Sequence, residues 1–247
     1  MGEPPPPFPG PALYEQASVL DEYFAPRPAG ESPVETMELP ALWRAIGDVR
    51  GLAVLDLGCG DGWLGAALRD RGCSRYTGVD GSAAMVDRAW RRLGPGAVCH
   101  QRLEELDLEA RGFDLAVSSK VLHYVEHLVA VLQRAAEHLR PGGRLVYTHE
   151  HPVITSFEAR DPGGTRQAWT VDGYFRPGAR EVSFLGAPVV KYHRTFEQHL
   201  AAVAGAGLEL IGLSECAPVR ERFGDRADEY ERRLRIPLFL LVSTRRP

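Results

Sequence analysis

"VLDLGCGDGWLGAAL", residues Val54 to Leu68, sets an apolar run directly against three glycines at alternate positions, Gly58, Gly60 and Gly62. A short apolar run that stops at glycine reads as a buried strand entering a tight loop. Alternating glycines give up side chains where a left-handed turn or a close ligand needs bare backbone. "AVLDL" is therefore a strand, and a helix follows from Trp63 to Asp70.

Outward from this unit the alternation continues. "RYTGVD" is a second strand, and Ser82 caps the helix "AAMVDRAWRRL", which carries Ala83, Val86 and Ala89 on one face. "AVCHQ", "FDLAVSS" and "RLVYTH" are further strands, and the helix "LVAVLQRAAEHL" stops at "RPGG". Strands alternating with amphipathic helices predict an α/β fold with a parallel sheet covered on both faces. The pattern breaks over residues 150–192, which hold no convincing helix and exceed an ordinary connection, so this segment reads as a functional cover. It resumes at Thr195, where T-F-E-Q is a capping box, and closes with "LELIGLSE" and "PLFLLVST". Before the sheet, "LYEQASVLDEYF" and "PALWRAIGDV" read as short amphipathic helices, and residues 1–11 as a disordered proline-rich tail outside the core.

In such a sheet the ligand crevice lies beyond the carboxyl ends of the strands, where the glycine loop sits. A phosphate loop needs Gly-Lys-Ser/Thr, whereas here Gly62-Trp63-Leu64 follows. A dinucleotide loop prefers glycine at the position of Trp63, which weakens that reading. The third reading is a nucleoside with a charged amino-acid tail. Asp56 then meets the amine, Gly58 and Gly60 admit the tail, and Asp80, twenty residues beyond Gly60, grips the ribose hydroxyls.

"VLDLGCGDG", "YTGVDGSAAMVDRA", "FDLAVSSKVLHYV" and "LRPGGRLVYTHEHP", in that order, resemble the class I S-adenosylmethionine-dependent methyltransferases, most closely the bacterial small-molecule branch. The resemblance implies a Rossmann-like seven-stranded sheet whose last strand, "PLFLLVST", is antiparallel, with one methyltransferase domain over 12–247 and 150–192 as its substrate-covering insertion. It also implies S-adenosylmethionine as cofactor. Gly58, Gly60 and Gly81 then line its path, Ser82 and Met85 flank the adenine, Ser118 begins the loop under the sulfonium, and Trp63 covers the cofactor or the base of the first helix. The family often places an acid after the third strand. Here Arg102 stands in that place, with the Leu103 backbone and Glu104 as substitutes.

Methylation of a hydroxyl or ammonium also needs a base. "THEHPV" offers His149 and His151, and "VVKYHRTF" offers His193; His151 lies farthest along the strand and is the first choice, His193 the second. No metal is expected, since methyl transfer does not require one. The cover carries Phe157, Trp169, Tyr174, Phe175, Phe184 and Tyr192, which either line an apolar or aromatic acceptor or form the cover's own small core. Arg160, Arg166, Arg176, Arg180 and Lys191 read as a solvated face or as contacts to an anion.

A net charge of −4 over 247 residues gives no field that favours nucleic acid or anionic membrane. No apolar stretch is long enough for a membrane span, no signal peptide precedes the fold, and the four cysteines show no disulfide or zinc spacing. These features describe a cytoplasmic enzyme, monomeric or homodimeric, that methylates an oxygen or nitrogen of a small molecule such as a secondary metabolite. An RNA or protein methyltransferase and a non-catalytic cofactor-binding protein are the alternatives.

Overall fold

Continuous apolar strands and one-sided helices can only bury their surfaces together as layers, and the chain does so. The computed structural model describes residues 9–26, 30–156 and 169–247. The elements are α1 (Gly10–Leu13), α2 (Ala17–Tyr23), a π-turn at Val34–Glu38 running into α3 (Leu39–Ile46), β1 (Ala53–Leu57), α4 (Trp63–Asp70), β2 (Arg75–Asp80) and α5 (Ala83–Leu93). They continue with β3 (Val98–His100), β4 (Phe113–Ser119), α6 (Leu128–His138), β5 (Leu139–Glu150), α7 (Pro152–Thr155), β6 (Gly178–Phe184) and β7 (Ala187–His193). The chain ends with α8 (Phe196–Gly205), β8 (Glu209–Ser214), α9 (Ala227–Arg233) and β9 (Phe239–Arg245).

Seven strands form one sheet in the order β3-β2-β1-β4-β5-β9-β8. β9 is antiparallel to both neighbours, β5 and β8, and the remaining pairs are parallel. The expected seven-stranded Rossmann-like sheet with its antiparallel last strand is what the chain forms. Successive side chains of each central strand enter opposite layers. Leu55 and Leu57 of β1, Ala116 of β4 and Leu145 and Tyr147 of β5 pack with α6 and α8. Val54, Leu115, Val117 and Val146 pack on the other face with α3, α4 and α5. The strand order runs outward from β1 and restarts at β4, so the crevice opens at the carboxyl ends of these two strands.

Two segments differ from expectation. The proline-rich tail was expected to reach residue 11, but Gly10 and Pro11 belong to α1; residues 1–8 lie outside the described residues. A Cβ at Gly10 would strike the Tyr124 side chain, and one at Gly81 would approach Pro11 Cγ at 2.8 Å. The tail thus turns into a short strap across the crevice because its glycine and proline fit flush where larger residues would not. The cover is also more regular than expected. β6 and β7 form an antiparallel hairpin closed by Leu185 and Gly186 with φ of +50° and +80°, the left-handed pair that suits a two-residue hairpin turn. The hairpin and strap share a third small core of Leu13, Val19 and Val189, packed by Tyr14, Tyr124, Val182 and Phe184.

Helix α8 has the predicted capping box between Thr195 and Gln198. It docks on β5 partly through histidines: the rings of His149 and His199 stack with centroids 3.9 Å apart. Burial pushes the His149 pKa down to about 4 and lowers that of His199. His149 is therefore neutral in the fold at pH values where the unfolded chain protonates it, near 6.5. As pH falls from about 6.5 to about 4, the unfolded state binds the extra proton and stability is lost, up to about 3 kcal/mol for this residue. Urea unfolding of the protein and of His149→Gln should show that margin of the wild type over the variant shrinking across this window and holding constant above it.

Candidate active site

The loop after β1 is left-handed three times, at Gly58 (φ +73°), Gly60 (φ +55°) and Gly62 (φ +77°). Each glycine serves a different purpose. A Cβ at Gly58 would collide with the Val121 side chain, and one at Gly62 would press on Leu93 and Ala89. A Cβ at Gly60 would meet no protein atom within 4 Å, so here only the left-handed backbone, and no packed neighbour, calls for glycine. The Gly58 and Cys59 N–H groups donate to the Val79 carbonyl at 2.7 and 3.0 Å. Asp80, at the end of β2, accepts from the Gly60 N–H through Oδ2 at 2.8 Å and from the Ser82 N–H through Oδ1 at 2.9 Å. Burial raises the Asp80 pKa although both N–H bonds favour its charged form.

The other expected cofactor residues occupy distinct places. Asp56 is buried and accepts from Tyr76 Oη at 2.9 Å; burial pushes its pKa up to about 7. Gly81 lies beneath Pro11, and its carbonyl meets His100 Nε2 at 3.2 Å. Ser82 Oγ caps α5 by accepting from the Met85 N–H and donates to Glu15 Oε1 at 2.7 Å, so the strap is tied to this corner. Met85 and Leu103 are buried, and Glu104 pairs with Arg102 at 3.4 Å on the surface. Ser118 is fully buried, and its hydroxyl donates to the Leu57 carbonyl at 2.8 Å, tying β4 to β1. Trp63 begins α4 and is 44% exposed.

His151 and His193, the expected bases, each have both ring nitrogens hydrogen-bonded. His151 Nδ1 accepts from the Val153 N–H at 3.2 Å, and its Nε2 donates to Glu215 Oε1 at 3.1 Å. His193 Nε2 donates to the Tyr174 carbonyl at 2.9 Å, which leaves Nδ1 to accept from Thr155 Oγ1 at 2.7 Å. A neutral imidazole has one lone pair to offer, and in both rings it is engaged inside the cover. Burial lowers the pKa of both, which also opposes taking up a proton. His149 and His151 do not share a strand face, because β5 ends at Glu150 and His151 caps α7.

The cover's aromatics mostly knit the cover together. Phe184 lies in the third core, Tyr174 packs on His193 and takes the Phe196 N–H at 3.1 Å, and Phe175 is 87% exposed. Trp169 donates to the Val153 carbonyl at 3.0 Å; Phe157, Arg160 and Arg166 lie outside the described residues. Arg180 and Lys191, read as solvated, are instead buried. Lys191 pairs with Glu150 at the end of β5, beside Lys120 at the end of β4 and Glu38 in the π-turn. Sequence reading missed this charged cluster. Its one visible signal is the alternation V-V-K-Y-H, which puts Val189, Lys191 and His193 on one strand face.

These groups suit a nucleoside bearing a charged tail. Open backbone at Gly60 admits it, Asp80 offers carboxylate oxygens for paired hydroxyls, and no lysine follows the glycines to hold a phosphate chain. The comparisons agree. Residues 55–147 match the family model for the methyltransferase domain. An S-adenosylmethionine dependent methyltransferase structure from Mesorhizobium loti is 34% identical, covering 85% of this chain and 97% of that one with a TM-score of 0.76. Malonyl-[acyl-carrier protein] O-methyltransferase of Enterobacter lignolyticus is 30% identical over 59% of this chain and 55% of its own. Ubiquinone biosynthesis O-methyltransferase of Coxiella burnetii is 32% identical over 40% of this chain and 44% of its own. The chain thus spans about half the length of these two curated relatives or less. The chain belongs to the class I S-adenosylmethionine-dependent methyltransferases, and S-adenosylmethionine is its cofactor.

Proposed function

We propose that this methyltransferase acts on an oxygen or nitrogen atom of a small-molecule acceptor. The observation that carries this reading is the cover: the β6–β7 hairpin and the α1 strap meet in a shared core above the ends of β4 and β5. A roofed crevice suits a small acceptor better than a folded RNA or protein, and the net charge of −4 gives polyanions no attraction. Both curated relatives named above are O-methyltransferases, which favours oxygen.

The cofactor, when bound, supplies an electrophilic methyl group on a sulfonium. The chain's own residues bind, orient and exclude water. We assign Asp80 to the ribose hydroxyls: it keeps lone pairs beyond the two N–H bonds it accepts. Gly58 and Gly60 shape the loop beside the tail, with Asp56 and Ser118 holding it from below. Gly81, Ser82, Met85, Leu103 and Glu104 form the adenine side, and Trp63 stands at its rim. Holding an acceptor in line under a closed roof lowers the barrier by several kcal/mol without covalent help from the protein.

A methyl-transfer screen over small metabolites, read by mass, tests the activity. Methylation of RNA or protein with no small molecule modified would overturn the reading. Calorimetry with S-adenosylmethionine tests the cofactor residues. Asp80→Asn should weaken binding by about 1.5–3 kcal/mol, as expected when a charged hydrogen-bonding group is lost. Gly60→Ala should fold, at a cost of about 1–2 kcal/mol for its left-handed backbone, yet bind the cofactor poorly. Gly58→Ala should instead lower thermal stability more than Gly60→Ala does, because its Cβ meets Val121. For the histidines, His151→Asn and His193→Asn should lower Tm, while kcat of the folded fraction stays within about tenfold, short of the 10²–10⁴ loss of a positioned base.

A further inference from the structure

At the crevice end of β4 the backbone takes an unusual turn. Lys120 has a φ of +58°, a left-handed conformation uncommon for a residue with a side chain. Its N–H donates to the Thr148 carbonyl at 2.9 Å and to Thr148 Oγ1 at 3.2 Å, so the neighbouring strand holds the turn in place. Strain of this kind persists only where surroundings over-determine it, and it collects at ligand clamps.

Two carboxylates, Glu38 and Glu150, lie near the Lys120 ammonium without closing an ion pair to it. Glu38 Oε1 accepts from Ser119 Oγ at 2.9 Å and from Thr148 Oγ1 at 2.6 Å. Glu150 is bound by Lys191. Among the described residues, no carboxylate comes within ion-pair distance of Lys120 and no acceptor takes a hydrogen bond from its ammonium. Burial lowers its pKa, with Glu38 and Glu150 acting the other way. Lys120 is itself only half-buried, so a ligand can reach its ammonium. Two buried polar atoms nearby have no partner: Glu38 Oε2 and the Nδ1 of His123, which packs on the Tyr124 ring at 4.2 Å.

The neighbourhood is otherwise aromatic. Tyr14 and Tyr124 bring their hydroxyls within 3.5 Å of each other, and the Lys191 ammonium lies 5.2 Å from the centre of the Phe184 ring and 5.8 Å from that of Tyr124. The residues come from the strap, the loop after β4, the end of β5 and the hairpin, so the cluster sits where the roof meets the crevice.

We propose that this cluster is the acceptor subsite and that Lys120 binds a carboxylate of the acceptor, whose apolar or aromatic body lies against Tyr14, Tyr124 and Phe184. The proposal rests on the methyltransferase reading above. Lys191 is already held by Glu150, which leaves the Lys120 ammonium as the cation of this cluster with hydrogen-bond donors to spare. A phosphate would call for more donors, and in particular for the forked arginines that grip it in pairs.

Calorimetry on the full chain tests this with a panel of monocarboxylates of growing apolar body (acetate, hexanoate, benzoate, phenylacetate), each paired with its neutral amide, and with inorganic phosphate alongside. At least one carboxylate should bind about tenfold or more tighter than its amide. Lys120→Met should abolish that preference and Lys120→Arg should restore part of it, while S-adenosylmethionine affinity in Lys120→Met stays within about twofold of wild type. The proposal is overturned if no carboxylate outbinds its amide, if phosphate binds more tightly than every carboxylate, or if the preference survives in folded Lys120→Met. It is equally overturned if Lys191→Met removes the preference while Lys120→Met does not. Should Lys120→Met unfold, Lys120→Gln carries the same comparison. The panel needs no turnover, so wild-type protein that fails to bind S-adenosylmethionine would count against the methyltransferase reading alone.

Discussion

Two backbone N–H groups, from Gly60 and Ser82, converge on the Asp80 carboxylate at 2.8 and 2.9 Å, and this small knot holds the crevice open. It links the loop after β1 to the start of α5. Those parts would otherwise carry unpaired donors beside a cleft. It also pins Gly60 in its left-handed conformation. Asp80 thus shapes the loop with both carboxylate oxygens, and its partial burial strengthens these bonds.

Over the crevice lies a roof with little apolar mass of its own. Its third core has three fully enclosed hydrophobic residues, so polar contacts must hold it down. His193 bridges Thr155 and the Tyr174 carbonyl, His151 joins α7 to Glu215, and Arg194 donates to the Glu126 carbonyl at 2.7 Å and to that of Val125. Histidine suits this work because one ring nitrogen donates while the other accepts. The same property that makes it an attractive base in a sequence makes it an effective clamp in a fold.

How far the chain could be read varied with the range of the interactions involved. Apolar runs, the capping box at Thr195, the Ser82 cap and the positions of Gly58, Gly60 and Asp80 follow from contacts within a turn or between successive elements. The strap escaped notice because proline-rich composition usually means an exposed chain. Here Gly10 and Pro11 fit against Tyr124 and Gly81, residues far away in sequence. The hairpin escaped because its turn is Leu185-Gly186, without the asparagine or aspartate that usually marks one.

The sequence by itself determined the parallel sheet, the glycine loop and the carboxylate that ends the second strand, since periodicity and spacing encode those locally, while the antiparallel last strand came only with the family resemblance. Tertiary structure alone decided the role of each charged or titratable side chain. Glu38, Lys120, Glu150 and Lys191 come from four separated segments, and Lys191 reads as solvated until the hairpin turns it inward against Glu150. Whether a histidine is a base or a clamp depends on which groups face its two nitrogens, and those partners are set by packing between distant elements rather than by neighbours in the chain.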